Sequence, residues 1–197
     1  MNPANTWART MTVDQVKKIF AADGAAKTWK DVDPSWPADA IKVYSPGTDS
    51  GTFDYFKEVV VGKEGKIRAD MSVSEDDNVL VRGVEGDKGA IGFFGYAYYV
   101  ANKDKLGAVS VVNPRTKAAV APSHATIEDG SYAPFSRPLF VYVSKSSLSK
   151  PPVAAYVRFA LANAAKFAEE VGYVKLPAAI GDRAKANLAA GKTGSQM

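Results

Sequence analysis

Val43-Tyr44-Ser45-Pro46-Gly47-Thr48-Asp49-Ser50-Gly51-Thr52-Phe53-Asp54-Tyr55-Phe56 reads as a short strand, a turn of small residues and the first turn of an amphipathic helix. Thr48, Ser50 and Thr52 place hydroxyls in the turn, and Gly51 lets the backbone approach a ligand closely. These groups sit where a helix has unpaired N–H groups and the positive end of its dipole. An oxyanion suits that position, phosphate most often. The competing reading is a plain N-cap, because Ser and Thr start many helices with no ligand at all. Local chemistry leaves both open.

The flanking sequence alternates strands with helices. Upstream, Thr12-Val13-Asp14-Gln15 has the form of a capping box, and Val16, Ile19 and Phe20 follow at helical spacing, which predicts a helix at about 12–22. Trp29 to Pro37 is a turn-rich connector, and Ile41-Lys42-Val43-Tyr44 is the strand that enters the turn. Downstream, Phe53, Phe56, Val59 and Val60 form a buried helix face that Gly62 ends. The acids of Ser74-Glu75-Asp76-Asp77 gather at a second helix start, where they complement the dipole. Gly89-Ala90-Ile91-Gly92-Phe93-Phe94-Gly95 is an apolar strand running into a tyrosine-rich helix at Tyr96, Tyr98 and Tyr99. Its glycines suggest close packing beside a cleft, but they lack dinucleotide-fingerprint spacing. Val109 to Val112 is a further strand, Arg137 to Val143 a strong one, and helices are expected at about 151–171 and 177–190. Alternation of this kind argues for an α/β fold.

Composition removes several function classes. The chain has 197 residues, 46% of them hydrophobic, which is enough for a proper core. Its net charge of +4 is mild and scattered, with Lys57, Lys63, Lys66, Lys103 and Lys105 each standing singly, so there is no stripe for nucleic acid. With no cysteine there are no disulfides, thiolate metal sites or thiol nucleophiles. The single histidine, His124, reads as a loop residue beside Pro122, far along the chain from Ser50. A serine nucleophile needs a base, and His124 is the only histidine to supply one, so a Ser-dependent hydrolase is the weakest reading. No Gly-x4-Gly-Lys run supports nucleotide hydrolysis. Neither a membrane-spanning run nor a signal peptide is present, so the chain is either cytosolic or lacks a signal that preceded it.

Three motifs in order resemble one family. Pro46 to Phe56 is similar to the phosphate-binding segment of the substrate-binding proteins of bacterial phosphate ABC transporters. Ser74-Glu75-Asp76-Asp77-Asn78 followed by Gly86-Asp87-Lys88-Gly89-Ala90-Ile91-Gly92-Phe93-Phe94-Gly95-Tyr96 resembles the same family, as does Ser136-Arg137-Pro138-Leu139-Phe140-Val141-Tyr142-Val143, its late crossover strand. The resemblance runs from Asn2 to the C-terminus. It implies a type II periplasmic-binding-protein fold, in which two α/β lobes close on a dehydrated anion. It also implies a receptor without catalysis or cofactor that binds inorganic phosphate and docks on a membrane permease. The location implied is periplasmic or otherwise extracytoplasmic. In such receptors one acid typically accepts the proton of hydrogenphosphate. A carboxylate facing an unprotonated sulfate is an uncompensated repulsion.

Carried over by position, Ser50, Gly51 and Thr52 match the family's anion loop, with Thr48 and Asp49 in the same turn. Asp49 either faces the anion or caps the helix. Arg68 either reaches the pocket or is a surface arginine. Ser136 and Arg137 lie at the crossover, where Arg137 either clamps the anion or ties the lobes together; a guanidinium fork suits phosphate edges. The chain departs from the family in one respect: the segment that family members carry before the position of Asn2 is absent. The expectation is one complete lobe at about 5–134 and the C-terminal share of the other at about 135–197. Half of the anion shell is then missing. The strand at 137–143 and the helix at 151–171 would lack neighbours, inviting a homodimer or a partner chain that completes the first lobe. The alternative function is a split phosphate-sensing or interaction module that needs such a partner.

Overall fold

The structure is a computed structural model that describes residues 1–194. The chain runs β1 (Thr10–Met11), α1 (Val13–Phe20), α2 (Trp29–Val32), β2 (Lys42–Ser45), α3 (Gly51–Val61), β3 (Ser72–Val73), α4 (Asp77–Glu85) and β4 (Ala90–Gly92). It continues through α5 (Tyr96–Ala101), β5 (Ser110–Val112), β6 (Ala119–Val120), α6 (His124–Glu128), a 3-10 turn at Ser147–Ser149, α7 (Pro151–Glu170) and α8 (Ala178–Ala189).

The sheet that positions the turn has strand order β3-β2-β4, all parallel. β2 enters first and takes the centre. α3 leads from it to β3 on one side, and α4 carries the chain back across to β4 on the other. The strand order therefore reverses direction at β2, and a crevice opens beyond the C-terminal ends of such strands. The residues after β2, β3 and β4 all gather at that edge. A second sheet, β1-β5-β6, joins a parallel pair to an antiparallel one.

Helix starts follow the predicted chemistry. Thr12 N–H donates to Gln15 Oε1 at 2.9 Å and Gln15 N–H donates to Thr12 Oγ1 at 3.1 Å, closing the capping box of α1. Asp76 caps α4 by accepting from Asn78 N–H at 2.9 Å. The core lies between α1, α2, α3 and the central sheet. Trp29 is fully buried, edge-on to Trp7 and tilted against Trp36. Phe20 meets Phe56 and Phe93 edge-on, and Phe56 stacks on Phe93 with centroids 3.8 Å apart.

The structure departs from the sequence reading in four places. Residues 137–143, expected as a strong strand, belong to no strand. Leu139, Phe140, Val141 and Tyr142 are exposed there, Val141 at 83%. The composition suits a strand, but a strand needs a neighbour for its backbone groups. His124 is not a loop residue; it opens α6, after a Ser123 cap, and meets Tyr96 edge-on. The two-residue strands β1, β3 and β6 are too short to show any alternation in the sequence. Finally, α7 and α8 form where expected, yet of all their side chains only Val157 is buried. α7 ends in a Schellman turn: Tyr173 N–H donates to Ala168 O at 2.8 Å and Gly172 N–H to Glu169 O at 3.2 Å, with Gly172 at φ +78°. Gly172 also packs on α5, where a Cβ would fall 2.9 Å from that of Ala97.

Candidate anion-binding site

Ser50 is the N-cap of α3, with extended φ and ψ of −91° and 126°. Its Oγ accepts from Thr52 N–H at 3.2 Å, a bond that leaves the hydroxyl proton unused. Ser50 N–H donates to Gly47 O at 3.1 Å, which closes the turn before the cap. Thr48, Asp49, Gly51 and Thr52 are exposed around it. The first-turn amides of α3 therefore point to the open edge of the sheet, beside hydroxyls at 48, 50 and 52. This arrangement can surround an oxyanion with neutral donors and a helix dipole. Asp49 precedes the cap; Ser50 performs the capping.

The crossover segment lies against this turn. Arg137 Nη2 donates to Gly51 O at 3.0 Å, and its guanidinium carbon lies 4.7 Å from the centroid of the Tyr55 ring. Tyr55 Oη donates toward Pro134 O at 2.6 Å and Ser136 O at 3.4 Å. Burial pushes the Tyr55 phenol above its ordinary range, against the opposing pull of Arg137. Arg137, Ser136 and the Ser50-Gly51-Thr52 turn are thus brought together.

Arg68 is engaged elsewhere. It is buried, and Nη1 donates to Ile19 O and Ala26 O at 2.9 Å each. Nε and Nη2 hold the two Asp70 oxygens at 2.7 and 2.8 Å. Four of the five guanidinium N–H groups are thereby committed, and none of these bonds reaches the α3 turn. The hydrogen bond from Arg68, and then that from Lys27, hold the Asp70 carboxyl well below the usual carboxylate range.

Two contacts lay outside the sequence reading. Glu75 belongs to the turn before α4, which Ser74 N–H fastens to Ser45 O at 3.2 Å. Its carboxylate lies so close to Gly47 that a Cβ there would fall 1.6 Å from Oε1. The side chain would have to swing aside for any other residue at 47. Burial raises the neighbouring Asp77 carboxyl above its ordinary value, and the like charges of Asp76 and Glu75 add to the shift. The second contact is an aromatic wall behind the turn, where Phe53 and Phe56 pack on Phe93 and Phe135 stacks on Phe56. Phe135 directly precedes Ser136-Arg137, and that adjacency is the one sequence signal that could have linked crossover to cradle. Among the described residues no cluster of three His, Cys, Asp or Glu side chains is arranged to hold a metal ion, and no helix is long and apolar enough to cross a membrane.

The chain is similar to several known proteins. A PBP superfamily domain model matches residues 1–164. Protein SphX of Synechococcus elongatus is 46% identical over 196 residues, covering 98% of this chain and 56% of its own length. The phosphate-binding protein PstS of Staphylococcus haemolyticus is 44% identical over 178 residues, covering 90% of this chain and 54% of its own. The chain thus spans little more than half the length of these relatives. Among solved structures, one described as a possible phosphate binding protein from Planctomyces limnophilus superposes with a TM-score of 0.87 at 43% identity, over 98% of this chain and 68% of that one. An ABC-type phosphate transport receptor from Vibrio cholerae shares the fold at 20% identity, with a TM-score of 0.67 over 90% of this chain and 67% of its own. With the family model spanning most of its length and an α/β arrangement to match, the chain belongs to the PBP superfamily.

Proposed function

We propose that this chain carries the phosphate-binding loop of a solute receptor for an ABC-type phosphate importer, and that it performs no catalysis. The observation that carries this reading is the Ser50-Gly51-Thr52 cap of α3 at the open edge of β2, with Arg137 3.0 Å from Gly51 O. Relatives named phosphate-binding proteins support the choice of anion. Ser50, Thr48 and Thr52 donate from hydroxyls, Gly51 from the backbone, and Arg137 and Ser136 close the crossover side. Asp49 and Arg68 are the least supported ligands, the one because Ser50 takes the cap, the other because its donors are committed. Glu75, laid against Gly47, is the acid we assign to accept the proton of hydrogenphosphate.

The receptor docks on a membrane permease and works in the periplasm or another extracytoplasmic space. We assign residues 5–134 to one lobe and 135–194 to the C-terminal share of the other, the last three positions of the expected range lying outside the described residues. The exposed apolar side chains at 139–142 and on α7 support a cover for these faces, such as a second copy or a separate chain. They equally favour a second reading, a split phosphate-sensing module. A Ser50-dependent hydrolase has less support, because no hydrogen bond among the described residues joins Ser50 to His124.

Calorimetric titration with phosphate and then sulfate, on protein whose mass is known from light scattering, tests the proposal. Phosphate binding that Ser50→Ala weakens about tenfold is expected, together with gained sulfate binding in Glu75→Gln. Absence of phosphate binding in every oligomeric state overturns the function. Sub-micromolar binding by a strict monomer overturns the need for a partner.

A further inference from the structure

We propose that Tyr55 is a positioning residue that couples the anion cradle to the crossover, so that occupancy of the Ser50-Thr52 turn and the orientation of the C-terminal helices are read by one another. The inference rests on the phosphate-binding reading and adds to it a route for the signal. The peptide unit between Gly51 and Thr52 stands at the centre. Its carbonyl accepts from Arg137 at 3.0 Å, and its N–H donates to Ser50 Oγ at 3.2 Å. Hydrogen bonds in such a series polarise one another, so a bond at the carbonyl makes the N–H a stronger donor. Arg137 therefore sharpens the cradle without needing to touch the anion.

Tyr55 decides where Arg137 stands. It projects from the first half of α3, and its ring lies under the guanidinium at 4.7 Å. Its hydroxyl holds the carbonyls of Pro134 and Ser136, on either side of Phe135 in the crossover. One side chain thus fixes both the cation and the backbone that carries it. Phe135, stacked on Phe56, seats the same segment from its other side. Further along the chain the Gly172 turn packs on Ala97, and Lys175 feels the charge of Glu128 on α6. Loss of the Tyr55 hydroxyl releases the crossover carbonyls while leaving the α3 cap and the ring under Arg137 in place.

The chain has no cysteine, so introduced pairs can be spin-labelled cleanly. Arg82→Cys on α4 and Ala165→Cys on α7, both at exposed positions, report the distance between the two parts in the full chain. Calorimetry on the unlabelled variants reports phosphate affinity, and circular dichroism confirms that each variant is folded. In Tyr55→Phe the distance distribution of the ligand-free chain should broaden and phosphate should bind about fivefold more weakly. Arg137→Gln should do the same, and the double variant should be no worse than either single one, because both remove the same link. A Tyr55→Phe chain with unaltered distances overturns the coupling. So does one with broadened distances and unaltered affinity, since a purely structural tyrosine would give that result. If the unsubstituted chain binds no phosphate, the functional reading fails and the coupling with it, and that outcome is distinguishable from the others before any variant is made.

Discussion

Residues 1–134 and 138–194 both carry amphipathic apolar patterns and bury them very differently. In the first region Phe20, Ile19, Trp29 and Met11 are at most 2% exposed. In the second, Tyr156 is 70% exposed and Phe159 58%, on a helix of 20 residues whose sequence marks them as an inward face. The helix forms all the same. Its backbone bonds are internal, and Pro151 and Pro152 at the first turn suit its start. Helical structure can thus be satisfied locally, whereas burial cannot. The segment 137–143 makes the same point for a strand, whose backbone bonds are never local. Periodicity shows which face an element wants to hide, not whether the chain at hand supplies the cover.

The largest effect should come from testing that contrast directly. Phe20→Ala leaves a cavity against Phe56 and Phe93 and should cost about 4 kcal/mol in urea unfolding. Phe159→Ala on α7 should stay within about 0.5 kcal/mol. A comparable loss at Phe159 in a strict monomer would break the comparison, whereas a loss seen only in an associated state would report the partner that covers α7.

An intermediate effect belongs to Arg68. Arg68→Ala strips two carbonyls and Asp70 of their partner, and should cost about 3 kcal/mol by the same measurement. Phosphate affinity should be unchanged, which would sharpen the division between this buried arginine and Arg137 at the cradle.

The smallest effect is a pH dependence. The folded Asp70 carboxyl titrates below its ordinary 3.8, so the stability it lends is fully present above about pH 4. That contribution is lost as pH falls through the folded value. Since Asp70 is half exposed, solvent screens much of it. The stability gap between the unsubstituted chain and Asp70→Asn should therefore be modest at pH 6 and close as acid is added. A gap that widens in acid would reverse the assigned sign.

Much of this was legible in the sequence because its causes are local. Thr12 with Gln15, Ser50 with Thr52 and Gly62 at φ +79° are caps that act within a few residues, and they mark α1 and α3 correctly. The order of motifs pointed to the α/β family. What stayed hidden depends on residues far apart in the chain. Arg68 finds its carbonyls 49 and 42 positions away, and Tyr55 finds Pro134 79 away. Glu75 looked like one more helix-capping acid until β3 paired with β2 and set its turn beside Gly47.

Arg68 also orders events in time. Its guanidinium holds the end of α1, the loop at Ala26 and the segment at 68–70 in one grip. None of the three can open alone without stranding a charge in the interior. Their amides should exchange with solvent as a single cooperative unit, at an energy close to that of global unfolding. The segment at 138–194 has no such fastening and opens first. A proteolytic cut or a chaperone therefore meets the C-terminal helices long before the anion cradle comes apart.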